Sequence, residues 1–451
     1  MKWCASRGVV QMVLCFSLSL TCSLHAQAQD GSPAKDAAKQ SDELRFVVIV
    51  SRHGVRSPTA KPGQFNQYSR QPWPAWSVPP GYLTQHGAQL MTLFGAYDRE
   101  QLAAQGLFSS RGCADGQHIR IIADSDQRTR ETGKALAAGL SPGCALAVQA
   151  LPEGTEDPLF HSLAAGVGQP DKLLATAAVS GRIGGNPQGL SEAYRPQLEM
   201  LEDVLLHCDP SAACPNAGTQ SPQSIFDMPA SIAPGKSDHL VELGTSLAAA
   251  STMAENLLLE YTEGMDASNV GWGRLDIHKL RAILQLHTAH EDITERAGYI
   301  ARAQCSNLLF HILQSMKQQA SEAADAQPVA GALTRPEDRL LILVGHDTNL
   351  ANISGALGLS WLIDGRRDDT PPGGALVFEL WRKRDTSEYF VRTFYTAQTL
   401  NQMRNATPLS IQSPPERVPV FVPGCSQADS SCGWSAFQQA IQTGIDPAFT
   451  K

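Results

Sequence analysis

Three short stretches of this 451-residue chain carry side chains that could together hold and transfer a phosphate-like anion. The first reads RHGVRSPT, with Arg52 and Arg56 flanking His53 and with Gly54 letting the backbone turn tightly. Guanidiniums present forked N–H donors that match phosphate oxygens, and an imidazole between them can attack phosphorus. The second, SDQRTR, contributes Arg128, while its neighbour Arg130 is expected to point elsewhere. The third, GHDTN, sets Asp347 directly after His346. A carboxylic acid there could protonate a leaving alkoxide and, once ionised, activate water for a second step. Such a cycle predicts activity on the acid side, with Asp347 protonated at the start and the arginines keeping His53 a neutral imidazole. Each piece also has a plainer reading. Arginines at a strand end can be solvated surface charge, Asp347 or Thr348 can cap a helix starting near Asn349, and His346 can be a satisfied core histidine. A metal held by His53, His346 and Asp347 would meet repulsion from the flanking arginines, and no Cys/His spacing points to zinc.

The elements that must deliver these groups are apolar runs that stop where the charges begin. Phe46–Ser51 (FVVIVS), the segment from His118 to about Asp126 (HIRIIADSD) and Leu340–Val344 read as buried strands. Ligands of open α/β sheets bind at the carboxyl ends of such strands. GALVFELWR and YFVRTFYTA are expected to complete the sheet, and Leu83, Leu90, Leu93 and Tyr97 have the spacing of a helix across its face. A loop rich in Trp and Pro (Trp73, Pro74, Trp76, Pro79, Pro80) is long enough to be a wall of the site, and its aromatics could equally pack the loop onto the body. Between roughly Gly168 and Asp292 the texture turns to small residues and amphipathic helices, the clearest being Leu243–Tyr261, which carries Glu255. The expectation is an α/β body over 42–167 and 293–451, with 168–292 inserted as a mostly α-helical second domain.

Composition sets the compartment. Lys2 and Arg7 precede an apolar segment from Val9 to Leu24 that ends near Ala28, the pattern of a secretory signal over 1–28. Residues 29–41 read as a polar, disordered tail. Loss of Lys2 and Arg7 moves the formal charge from −8 to −10, which speaks against general nucleic-acid binding. No later stretch is long and apolar enough to span a bilayer, so a mature chain free of the membrane is expected. Of ten cysteines, three lie in the signal and seven remain, an odd number. Cys305, within an apolar helical pattern, is expected to be a buried thiol.

The motif RHGVRSP, together with ADSDQRTRETG, GWGRL, GHDTNLANI, TPPGGALVFELWR and QTLNQMRNATPLS, resembles the histidine acid phosphatases, among them the bacterial periplasmic phytases, across nearly the whole mature chain. The resemblance implies a phosphoglycerate mutase-like fold, a central mixed sheet flanked by helices, with a cleft between two domains. It implies His53 as the nucleophile that becomes phosphorylated, Asp347 as proton donor, and phosphate contacts from Arg52, Arg56, Arg128 and His346. Thr59 matches a substrate-contacting position, and Ala60 departs from the lysine that close phytases carry next to it, with Lys61 one place later. Glu255 falls where related phytases place an acid facing the pocket, although a solvated helix face is its plainer reading. Proximity in sequence and the resemblance pair Cys113 with Cys144, Cys208 with Cys214 and Cys425 with Cys432. The implied enzyme is a secreted or periplasmic, monomeric, cofactor-free phosphomonoesterase acting on small phosphate esters. Thr348 in HDTN tilts the substrate toward phytate, myo-inositol hexakisphosphate. A broad acid phosphatase or glucose-1-phosphatase is the alternative, and a phosphate-ester binding protein is the non-enzymatic one.

Overall fold

β1 (Glu43–Arg52) lies in the middle of an eight-stranded sheet in this computed structural model, which describes residues 42–61, 63–207, 222–236, 239–321 and 327–451. The signal segment, the tail over 29–41 and the pair Cys208 and Cys214 lie outside the described residues. On one side β1 runs parallel to β6 (Leu340–Gly345), which runs parallel to β2 (Ile119–Ala123), followed by the short β3 (Val148–Gln149). On its other side come antiparallel β9 (Ala375–Arg382) and β10 (Tyr389–Ala397), and β10 carries both β11 (Glu416–Pro419) and β12 (Ser431–Gly433). Two ribbons stand apart, β4 (Ser231–Pro234) with β5 (Val241–Gly244) and β7 (Leu362–Ile363) with β8 (Arg366–Arg367). The sheet is thus mixed, and its parallel half holds the three apolar runs read as strands.

The pleat of β1 sends alternate side chains to two cores. Val47 and Ile49 pack under α1 (Gln85–Ala104) and α2 (Gln127–Leu140), beside Phe94, Tyr97, Leu136 and Leu140. Phe46, Val48 and Val50 face α8 (Gly298–Gln319), α9 (Asp347–Leu357) and α11 (Trp434–Gly444), beside Leu309, Ile312, Ile353 and Phe437. Each such side chain contributes roughly 1.5–3 kcal/mol of transfer free energy, which is why a run apolar at every position makes a strand covered on both faces. A third apolar cluster gathers α3 (Lys172–Arg182), α4 (Gly189–Ala193), α5 (Arg195–Leu206), α6 (Ser246–Thr262), α7 (Ile277–Thr294) and α10 (Leu400–Arg404). Leu243, read as the first residue of the Glu255 helix, instead lies in β5, and Thr245 caps α6 by accepting the Ala248 amide. Among the described residues no helix is long and apolar enough to cross a membrane.

α1 and α2 pack closely on each other, and α1 on the segment that follows β1. A Cβ on Gly95 would overlap the Leu136 carbonyl oxygen, one on Gly139 the Thr92 carbonyl oxygen, and one on Gly87 the Val55 carbonyl oxygen. Gly54 belongs to the same contact. Its φ is not in the left-handed region, and a Cβ there would come within 2.8 Å of Met91 Cγ and 3.2 Å of the Gly87 carbonyl oxygen. Cys113 pairs with Cys144 and Cys425 with Cys432, while Cys305 is free and buried, as expected.

One buried acid in the helical cluster sets a pH dependence of stability. Glu260 on α6 is 1% exposed, with the Gly271 amide donating to its Oε2 at 3.0 Å. Burial pushes its carboxyl up to about 8, against that hydrogen bond. An acid whose folded pKa exceeds its unfolded value of about 4.3 favours folding in full below that value. This contribution is lost as pH rises toward 8. Glu260→Gln should therefore raise the thermal midpoint by about 2–4 °C at pH 8 and leave it nearly unchanged near pH 4, as read by calorimetry. Equal shifts at both pH values would show that titration is not the cause.

Candidate active site

Register alone brings the three motifs together. Arg52 pairs with Gly345, and Ala123 pairs with Val344, so the residues that follow β1, β6 and β2 emerge from one edge of the sheet. The His53 amide donates to the Gly345 carbonyl at 2.9 Å, and the Asp124 amide to the Val344 carbonyl at 3.0 Å, which extends the ladder by one residue at each end. The His53 and His346 ring centroids are 5.7 Å apart.

His53 is 1% exposed, and its Nδ1 lies 2.8 Å from the Gly54 carbonyl oxygen. A carbonyl only accepts, so Nδ1 carries the proton and Nε2 keeps its lone pair. Burial, then the charges of Arg128, Arg52 and Arg56, hold this imidazole well below its ordinary range. It is a neutral nitrogen base in a field of cations.

Arg52, fully buried, donates through Nη1 to the Thr370 carbonyl at 2.6 Å, and its Nη2 forms an ion pair with Asp347 Oδ2 at 2.7 Å. The same Nη2 also bonds Glu255 Oε1, which Arg56 Nη2 reaches at 2.9 Å. Arg128 Nη2 lies 2.6 Å from Asp126 Oδ2 and 3.3 Å from His346 Nδ1. Each of the three arginines keeps a buried Nε–H without a hydrogen-bond partner among the described residues, so the cluster has donors left for an anion. Arg130 instead turns toward Glu153, 3.8 Å away, as expected. Thr59 is exposed, across Gly81 from Arg128. The Trp/Pro loop serves both readings. Trp73 packs edge-on against Trp272 of the helical cluster, and Ser57, Pro58, Trp73, Trp76 and Asn256 line a cavity of about 500 Å³.

α9 begins at Asp347, two residues before the expected start, with His346 as its N-cap, whose amide donates to Asn349 Oδ1 at 2.9 Å. Neither Asp347 nor Thr348 is the cap. Burial opposes the charge on Asp347, but Arg52, then His287 and Arg56, hold its carboxyl well below the usual carboxylate range. Glu255 is 8% exposed and bridges two guanidiniums, so the solvated helix face expected for it is wrong. A buried arginine pair left without an anion would be costly, and the Glu255 carboxylate supplies one.

Several further groups at the site were given no role by the motifs. Asp124 Oδ2 lies 2.7 Å from His346 Nε2 and 3.2 Å from His161 Nε2. On α7, His287 sits within 3.6 Å of Glu291, and Glu291 is pushed up to about 7 chiefly by burial. Asp124 alone had a signal in the sequence, an acid directly after an apolar run. His161, His287 and Glu291 lie among ordinary helix and loop residues.

An arginine-ringed imidazole at the carboxyl edge of a mixed α/β sheet is the arrangement of a histidine phosphatase. The sequence profile of the histidine phosphatase superfamily (branch 2) matches residues 43–212 and 235–396, and the chain belongs to that superfamily. It is 36% identical to phytase AppA of Escherichia coli strain K12, over 92% of this chain and 96% of that one. It is 28% identical to the glucose-1-phosphatase of Providencia rettgeri, over 89% and 92% of the two chains. Among solved structures, the Hafnia alvei phytase in complex with myo-inositol hexakis sulphate superposes with a TM-score of 0.79 at 35% identity, covering 91% of this chain and 99% of that one.

Proposed function

We propose that this protein is an exported, phytase-type histidine acid phosphatase that removes phosphate from myo-inositol hexakisphosphate through a phosphohistidine. The observation that carries the reading is the His53 tautomer, with Nδ1 tied to the Gly54 carbonyl and Nε2 free among three guanidiniums. In the first step Nε2 attacks phosphorus in line, the bond from phosphorus to the ester oxygen breaks, and Asp347 passes its proton to that oxygen. In the second, water attacks the phosphohistidine, Asp347 takes the water's proton, and the N–P bond breaks to release phosphate. Arg52, Arg56, Arg128 and His346 hold the equatorial oxygens, where charge is stabilised during transfer. Thr59 contacts the substrate at the rim. The helical segment 168–292 serves as the second domain, closing the cleft over the strand ends.

The sign of the pH dependence follows from the electrostatics. With the pocket empty, Arg52 and its neighbours keep Asp347 ionised. A bound phosphate brings negative charge beside it, offsets the guanidiniums and raises its pKa, so the protonated donor is populated in the complex on the acid side. Rate falls as pH rises. Glu255 occupies the anion position between Arg52 and Arg56 and must yield to the incoming phosphate. Glu255→Gln should therefore tighten competitive inhibition by inorganic phosphate, lowering its Ki by roughly tenfold, because one charge competing for two arginines is gone. A Ki that is unchanged or weaker would place phosphate away from this pair.

The deciding assay compares phosphate release from phytate and from glucose-1-phosphate between pH 3 and 8. Preference for phytate on the acid side supports the reading. Preference for the sugar phosphate keeps the mechanism and moves the substrate to that of a glucose-1-phosphatase. No turnover of either leaves a phosphate-ester binding protein.

A further inference from the structure

Asn256, the residue after Glu255 on α6, is 5% exposed, and its side-chain amide has no hydrogen-bond partner among the described residues. A buried amide is rarely left so, because each unmade bond costs the desolvation of a donor or an acceptor. Asn256 lines instead the cavity of about 500 Å³ formed by the RHGVRSPT segment, the stretch after it and the Trp/Pro loop. That volume lies in the range of roughly 300–1,000 Å³ in which small molecules are held.

The rest of the wall is mostly apolar and flat. Phe65, Trp73 and Trp76, each partly buried, stand there among prolines, and Trp73 is anchored edge-on against Trp272 with 5.0 Å between ring centroids. Lys61 is the one charged side chain among the lining residues, and its ammonium pairs with no carboxylate among the described residues. An unopposed cation on a wall without acids favours an anion, and aromatic faces favour a flat ring. The phosphate pocket is a separate place. His53, Arg52, Arg56, Arg128 and Asp347 do not line this cavity, which adjoins them through chain neighbours: Ser57 follows Arg56, and Asn256 follows Glu255, its partner in a 2.9 Å ion pair.

We propose that this cavity is a second binding site, distinct from the phosphate pocket, for a small aromatic anion, a flat aryl carboxylate or sulfonate. Its ring lies against the tryptophans, and the Lys61 ammonium and the Asn256 amide are its polar partners. A further phosphate group of a polyphosphorylated substrate suits the wall less well, since it would leave the aromatic faces unused. A cation finds no carboxylate among the lining residues.

The test is calorimetric titration of the mature protein with naphthalene-2-sulfonate in saturating inorganic phosphate, which keeps the probe off the arginines. Binding of one equivalent is expected. Cyclohexanesulfonate, which has the charge without the flat ring, and 2-naphthol, which has the ring without the charge, should each bind about tenfold more weakly. Lys61→Ala and Asn256→Leu should each weaken the probe by about tenfold as well. Lys61 is exposed, so its variant leaves the core intact, and circular dichroism establishes that both variants are folded. No binding by wild type overturns the proposal, as does binding that saturating phosphate abolishes, which would put the probe on the arginine cluster. Equal affinity for cyclohexanesulfonate, or unchanged affinity in both folded variants, overturns it too. No turnover enters the readout, so the function proposed above can fail without affecting it.

Discussion

His53→Ala is expected to lower kcat for phytate by a factor on the order of 10⁴–10⁶, the scale on which loss of a covalent nucleophile is felt when the rest of a site survives. The survivors here are the arginines, which keep Glu255, Asp347 and the Thr370 carbonyl as partners without His53. The variant should therefore fold and still bind inorganic phosphate. The sharper readout is covalent. Wild type quenched in alkali during turnover should carry labelled phosphate that acid removes, the behaviour of a phosphoramidate, and the variant should carry none. Label in the variant, or more than about a hundredth of wild-type turnover, would place the nucleophile on another side chain.

The second large effect separates the two jobs assigned to Asp347. In Asp347→Asn the amide can neither donate a proton to a departing alkoxide nor take one from water. With phytate, whose inositol oxygen is a poor leaving group, kcat should fall by about 10²–10⁴-fold and no phosphoenzyme should build up. With 4-nitrophenyl phosphate, whose phenolate leaves unaided, the first step survives and the second stalls. A burst of nitrophenol close to one equivalent of enzyme should then precede a slow steady state, with labelled His53 accumulating. Equal slowing of both substrates with no burst would mean that Asp347 positions Arg52, through their 2.7 Å contact, rather than moving protons.

How much of this was legible beforehand depended on whether a residue's neighbours lie in its own segment. Leu340–Val344 reads as a buried strand because apolar side chains at every position have no other use, and His346 and Asp347 follow from where that run stops. The same logic found Arg52, His53 and Arg128. Glu255 defeated it. On α6 it looks like any polar residue of an amphipathic helix, and only the approach of that helix to the end of β1 supplies the two guanidiniums that make its burial tolerable. His161 and Glu291 were invisible for the same reason, since each acquires its role from a residue far away in sequence, Asp124 and Thr370 respectively. Gly54 reads in the sequence as a turn residue only. Its lack of a side chain matters for the space it leaves to Met91, and nothing in the local sequence announces that Met91 will stand there.

The glycine contacts that press α1, α2 and the RHGVRSPT segment together leave the reacting groups no slack. The Gly54 amide is held by Thr132 Oγ1 of α2 at 2.9 Å, Gly87 of α1 lies against the Val55 carbonyl, and the two helices meet through Gly95 and Gly139. Softening around His53 ahead of global unfolding is therefore not expected, and activity and cooperative structure should be lost at one temperature rather than in sequence. Evolution inherits the same constraint. Side chains introduced at Gly54, Gly87, Gly95 or Gly139 would each meet a close neighbour, so the packing beneath His53 has little room in which to drift.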